Sequence, residues 1–219
     1  MRILIVAATA PEIDPIVAGF RSASERGPRV LGYTYAGHDI DLLVTGVGMV
    51  ATAAWCSRVL AQTPYDLALN LGVCGSFDPA IAPGTAVHVV TDRLAELGVE
   101  DDEMFLPIAM LDLPCDSGLV NARPPHNVAL NALPAVTGIT VNTVHGNARS
   151  IAAVIERFKP QVESMEGAAF MYACLIHDLP FAQVRAVSNV VETRNRASWK
   201  MADALHNLAG AALSILGHV

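Results

Sequence analysis

The run Ile3-Leu4-Ile5-Val6-Ala7-Ala8 decides how the rest of the chain is read. It has no polar alternation, so it predicts a strand buried on both faces, the kind found in sheets covered by helices on each side. Met1-Arg2 in front of it imitates a secretion signal. The apolar run is too short for one, and Glu12 and Asp14 follow at once. Pro11 then opens a short helix, as proline does in a first helical turn.

Working outward, residues 29–45 read as two strands turning at Gly37-His38, followed by a helix from about Val50 to Leu60. Further strands are expected over Asp66–Leu71, Thr85–Thr91, Gly138–Val144 and Phe181–Ser188. Helices are expected over Ala148–Arg157, Met165–His177 and Trp199–Leu216. The stretch from Asp92 to Pro125 carries the acidic run Glu100–Glu103 and four prolines, and reads as a long loop. Strands that alternate with helices predict an α/β fold: one domain over residues 1–219, with a central mixed twisted sheet flanked by helices on both faces.

Composition narrows the function. Of 219 residues, 53% are hydrophobic, which excludes disorder and suits a homo-oligomer that hides further surface. Twenty-one acids against 14 bases give a net charge of -7, which argues against a nucleic-acid partner. No apolar run approaches the ~20 residues of a membrane helix, so no membrane partner is expected. Cys56, Cys74, Cys115 and Cys174 form no C-x-x-C pair and read as reduced thiols of a cytoplasmic protein. Metal-ligand spacing is absent among the histidines, and His38, His88, His126, His177, His206 and His218 read as surface or satisfied positions. No metal is expected.

In a sheet of this kind, ligands bind beyond the carboxyl ends of the strands. Those ends carry Ala8-Thr9 with Glu12, Thr45-Gly46-Val47-Gly48, Gly72-Val73-Cys74-Gly75-Ser76, His145-Gly146-Asn147 and Ser188-Asn189. Gly46 to Ala51 fits G-x-G-x-x-A, and Asp66 lies 20 residues after Gly46, which raises an NAD(P)-binding reading. Asp66 begins its strand, however, where that fingerprint needs an acid at a strand end. The glycines are then explained by a tight turn and close backbone approach to a ligand, and no cofactor is expected.

Together these residues resemble the nucleoside phosphorylase and nucleosidase superfamily over essentially the whole chain. Glu12 after the first strand, Thr45-Gly46-Val47-Gly48, Asn70-Leu71-Gly72-Val73-Cys74-Gly75 and Glu163-Ser164-Met165-Glu166-Gly167-Ala168-Ala169 are similar to the methylthioadenosine/S-adenosylhomocysteine nucleosidases. The block Ser188-Asn189-Val190-Val191-Glu192-Thr193-Arg194-Asn195-Arg196, with Trp199 after it, resembles the futalosine hydrolase family. The resemblance implies a nucleoside phosphorylase-like fold and cofactor-free hydrolysis of the N-ribosidic bond of a small nucleoside. The implied substrate is futalosine, of a route to menaquinone; another purine nucleoside, or phosphorolysis, is the alternative.

That chemistry needs an activated water, a grip on ribose and help for the departing base. Glu12 is the candidate general base, a task suited to a partly buried carboxylate. Glu166 is the candidate ligand of the ribose hydroxyls, its charge facing a cationic sugar, with Met165 packed against sugar or base. Both acids also suit the first turn of a helix. Asn189 stands where the adenine-releasing enzymes carry a proton-donating Asp. An amide cannot give up a proton, but its NH2 can donate to N7 or to a 6-oxo group, which points to hypoxanthine as the leaving base. Ser188 is expected to orient that amide, and Thr45 and Gly72 to approach the substrate. Arg194, Arg196 and Arg149 are candidates for a substrate carboxylate, which a guanidinium fork fits, and Trp199 for an aromatic ring. No arginine stands just before Gly72, where the superfamily's phosphorylases hold phosphate, so water is favoured as the nucleophile.

Overall fold

The computed structural model describes residues 1–112 and 118–219. Cys115 lies outside the described residues; the other three cysteines are buried free thiols. The elements run β1 (Arg2–Ala7), α1 (Ala10–Val17), β2 (Arg21–Gly27), β3 (Val30–Tyr35), β4 (His38–Val44), α2 (Met49–Gln62), β5 (Leu67–Ser76) and β6 (Ala86–Arg93). Then come β7 (Gly98–Asp101), β8 (Met104–Pro107), β9 (Gly118–Val120), α3 (Val128–Asn131), β10 (Ala135–Thr140), α4 (Ala148–Phe158), β11 (Val162–Ser164), α5 (Gly167–Ile176), β12 (Phe181–Val190) and α6 (Met201–Leu216).

The main sheet has the order β11-β10-β6-β12-β5-β1-β4-β3-β2, with β9 added on β6. It is mixed: β1 runs parallel to β4 and β5, and β12 is parallel to β5 but antiparallel to β6. At one end the sheet curls until β11 pairs antiparallel with β5, through Val162 opposite Ser76 and Glu163 opposite Gly75. β11, β10, β6, β12 and β5 therefore close a ring, and β1, β4, β3 and β2 extend from it as an open wing. Closure leaves the ring no free strand edge along that seam. Val87, Val89, Val136, Val162, Val187 and Cys74 form one cluster among the ring strands.

β1 shows why the layers form. Its side chains alternate between faces, and Ile3 to Ala7 are all fully buried. Ile3, Ile5 and Ala7 join Ile13 and Ile16 of α1 and Leu208, Ala212 and Ile215 of α6. Leu4 and Val6 pack on the opposite face with Cys56 and Val59 of α2 and Phe170, Met171 and Cys174 of α5. The α/β sheet covered on both faces is the arrangement expected from the sequence.

Three parts differ from that expectation. β2 is a polar edge strand, paired only with β3, and nothing in its composition marks it. The described residues of the 92–125 stretch are not one long loop. Asp92 and Arg93 are the last residues of β6, a hairpin joins β7 to β8 around Asp102 in the left-handed region (φ 54°), and β9 zips onto β6. Short strands with a charged turn do not stand out by periodicity. Lastly, the strand expected over residues 138–144 runs from Ala135 to Thr140, so Val141 to Val144 lead out of the sheet toward His145. No helix among the described residues is long and apolar enough to cross a membrane.

His88 is neither a surface nor a satisfied histidine. It is buried on β6, its Nε2 lacks a hydrogen-bond partner among the described residues, and burial pulls it down to about 4. Between the ordinary histidine value and pH 4 the unfolded chain takes up a proton that the folded chain refuses. Stability therefore falls as the pH drops through that window. His88→Leu is expected to remove about 2–3 kcal/mol of this acid sensitivity. Urea unfolding at pH 4.5 and 7.5 measures it; an equal pH dependence in both proteins counts against the assignment.

Candidate active site

The ends of β1, β5, β10, β11 and β12 open on one cavity of about 460 Å³. Glu12, Met165, Glu166, Ser188, Asn189 and Arg194 line it, joined by His145, Glu163 and Trp199. Residues from both ends of the chain thus meet where the strand order places a ligand.

Glu12 sits in the first turn of α1, 8% exposed. Its Oε2 accepts hydrogen bonds from the backbone N–H and the hydroxyl of Thr9, both at 2.9 Å. Its Oε1 accepts from the N–H of Val73 on β5 at 3.2 Å. A carboxylate fixed by both helix start and sheet points in one direction, which a proton acceptor requires.

Glu166 caps α5 and is 5% exposed. Its Oε1 accepts from the N–H of Gly48 at 3.2 Å, and its Oε2 faces Nη1 of Arg185 at 3.4 Å. Gly48 has φ of +98°, in the region only glycine enters freely, and this aims its N–H at the carboxylate. The G-x-G turn therefore serves a side chain of the protein. Asp66, the acid of the dinucleotide pattern, accepts from the N–H of Arg2 at the opposite end of β5, at 2.7 Å.

Arg185 was not expected from the sequence. It is the largest fully buried side chain, 1% exposed, inside a strand that reads as apolar. Its Nη2 donates to Asn70 Oδ1 at 2.5 Å and its Nε to Gln183 Oε1 at 3.2 Å. Gln183 in turn donates to Asp92 at 3.0 Å, and Thr140 donates to the other oxygen of that carboxylate. Burial pushes Asp92 up to about 6, against the pull of these donors. A side chain at Gly72 would collide with both Arg185 and Glu12, so glycine is needed there for close packing beneath the site.

Asn189 is held by its neighbours. Ser188 Oγ lies 2.8 Å from Asn189 Oδ1 as a donor, and Asn189 Nδ2 donates to the carbonyl of Val190 at 2.9 Å. One N–H of the amide remains for a ligand. At the mouth, the guanidiniums of Arg194 and Arg196 both lie over Trp199, at 5.9 and 5.8 Å from the ring centre. Arg194 lines the cavity and Arg196 does not.

Four predicted residues stand off the cavity wall. Thr45 is buried, its hydroxyl within hydrogen-bond reach of the carbonyls of Ala7 and Gly46, where it shapes the turn. Gly72 lies behind Glu12. Arg149 is exposed in the first turn of α4, and Arg196 is exposed beyond Trp199. Missed by sequence reasoning were Arg185, Gln183 and the pair His145–Glu163, in which Nδ1 and Oε2 lie 2.6 Å apart. For Arg185 and Gln183 the available signal was a polar residue inside an apolar strand; for His145 it was its place at a strand end, and for Glu163 its place in the block that ends at Ala169.

The model of the phosphorylase superfamily matches residues 2–217. The futalosine hydrolase of Streptomyces coelicolor is 32% identical, over 96% of this chain and 93% of that protein. That of Thermus thermophilus is 30% identical, over 87% and 84%. A methylthioadenosine/S-adenosylhomocysteine nucleosidase of Shewanella is 26% identical over 86% and 84%. Among solved structures, the corresponding nucleosidase of Colwellia psychrerythraea, in complex with adenine, superposes with a TM-score of 0.83 at 20% identity, covering 100% of this chain and 97% of that one. The Streptococcus pneumoniae enzyme gives 0.83 at 20%, covering 100% of both. The chain belongs to the phosphorylase superfamily. Within that class it is a nucleosidase, an N-glycosyl hydrolase.

Proposed function

We propose that the protein hydrolyses the N-ribosidic bond of futalosine, releasing hypoxanthine and dehypoxanthine futalosine in a route to menaquinone. The observation that carries this reading is Asn189, set beside Glu12 and Glu166 in one cavity and oriented by Ser188. Glu12 takes a proton from the attacking water. Glu166 accepts the ribose hydroxyls and its charge favours the cationic sugar. The free N–H of Asn189 donates to the purine, which selects a 6-oxo base. Arg194 and Trp199 at the mouth suit the aromatic carboxylate at the far end of futalosine, with Arg196 and Arg149 as outer cations for the same group. Water is the favoured nucleophile: Arg185 is buried and bonded to Asn70, Gln183 and Glu166, so it offers no open phosphate clamp.

The test is incubation with futalosine, aminofutalosine, inosine and methylthioadenosine in phosphate-free buffer, followed by chromatography of the bases. Hypoxanthine from futalosine is the expected result. Adenine from methylthioadenosine as the main product would overturn it. Asn189→Asp is expected to shift the ratio of kcat/KM toward 6-aminopurines by about tenfold or more. The new carboxyl would face the carbonyl of Val190, which favours its protonated, donating form. An unchanged ratio removes Asn189 from base selection.

A further inference from the structure

A hydrolysis that releases a purine needs a proton at the base, and Asn189 has none to give. The site holds another donor. His145 follows β10 and lines the cavity; its backbone N–H donates to Glu163 Oε1 at 3.1 Å, and its Nδ1 lies 2.6 Å from Glu163 Oε2. Glu163 is 4% exposed on β11. Nε2 of His145 bonds to no described residue, and Phe77 packs against the ring at 6.1 Å. Glu163 and Asn189 flank Gly75: the amide nitrogen of one and Cγ of the other come within 3.4 and 3.5 Å of where a side chain at Gly75 would begin. The histidine–carboxylate pair therefore stands at the same end of the cavity as the amide, apart from Glu12 on α1.

We propose that His145 is the general acid of the reaction and Glu163 its positioning residue. The inference rests on the nucleosidase reading of the site with a 6-oxopurine as leaving base. Glu163 accepts the Nδ1 hydrogen, which turns Nε2–H of the imidazolium toward the cavity. As the C1′–N9 bond breaks, its electron pair passes into the purine, and the Nε2 proton goes to N7. Asn189 donates to the neighbouring 6-oxo group. Water forms the C1′–O bond and loses its proton to Glu12. The cycle ends with neutral His145 and protonated Glu12, and solvent carries that proton back. Atoms and charge balance without a cofactor.

The charged groups around His145 are Glu163 from β11, Arg194, whose backbone N–H donates to the carbonyl of Gly146, and Glu12, Glu166 and Glu192 elsewhere on the cavity wall. His145→Gln is expected to lower kcat on futalosine or inosine by about 10²- to 10⁴-fold, with KM changed by less than about threefold. The loss should be far smaller on 7-methylinosine, whose cationic base departs without a proton at N7. Glu163→Gln should lower kcat less than His145→Gln and show the same sparing of 7-methylinosine, because it acts only through the ring it orients. Hypoxanthine binding and the melting temperature show whether each variant is folded. An unchanged kcat in a folded His145→Gln protein, or an equal loss on inosine and 7-methylinosine, overturns the assignment. Failure of the wild type to release base from either nucleoside overturns the underlying reading instead, and the two results are distinct in one assay.

Discussion

Glu12→Gln is expected to bind the nucleoside about as well as the wild type and to turn it over about 10³-fold more slowly. The substitution keeps the shape of the side chain but removes the lone pair that takes the proton of water. It also has a local cost. Three donors converge on the carboxylate, two of them backbone N–H groups, Thr9 and Val73, on opposite oxygens. An amide has one acceptor oxygen, so its NH2 must face one of those N–H groups, destabilising the fold by about 1–2 kcal/mol. Single-turnover kinetics and equilibrium binding of the substrate separate the two effects. Rates within threefold of wild type would remove Glu12 from the mechanism.

Glu166→Gln is expected to have the second large effect, a loss of about 10²–10³ in kcat/KM, carried by both kcat and KM. The amide can still accept from Gly48, but it no longer offers a negative charge to the sugar, and it takes from the buried Arg185 its ion-pair partner. Removing one partner of a buried ion pair costs about 3–5 kcal/mol when the pair is tight. Here the 3.4 Å separation and the retained bonds from Arg185 to Asn70 and Gln183 place the expected loss below that range. Thermal unfolding reports the stability component and steady-state kinetics the catalytic one. A variant that melts lower but keeps its kcat/KM would make Glu166 purely structural.

Much of the architecture was legible in Ile3–Ala8, because a strand buried on both faces admits few surroundings. The small residues at the strand ends then marked the cavity: Thr9 bonds Glu12, Gly48 turns its N–H to Glu166, and a side chain at Gly75 would collide with Val191. What stayed hidden was whatever depends on pairing across the fold. Glu163 and His145 are 18 residues apart in sequence and look like a strand residue and a turn residue until β10 and β11 lie side by side. Arg185 and Gln183 vanish into the apolar pattern of β12, because their polarity is satisfied by each other and by Asn70, Asp92 and Glu166 from other elements. The edge strand β2 and the β7–β8 hairpin were invisible for the opposite reason: they bury too little to leave a pattern.

The closed ring of β11, β10, β6, β12 and β5 builds one side of the cavity and the open wing the other, joined by the bonds from Val73 to Glu12 and from Gly48 to Glu166. The groups proposed to choose and release the base, Asn189, His145 and Glu163, all hang from ring strands or the turns after them. Glu12 belongs to the open wing, on the helix after β1, and Gly48 follows β4 of the same wing. A lineage can therefore rewrite which base departs by substitutions confined to the ring, while the water-activating apparatus is inherited intact. Leaving-group identity and nucleophile activation become separable traits of a single scaffold, and chimaeras that exchange one half at a time are the natural way to move specificity between its members.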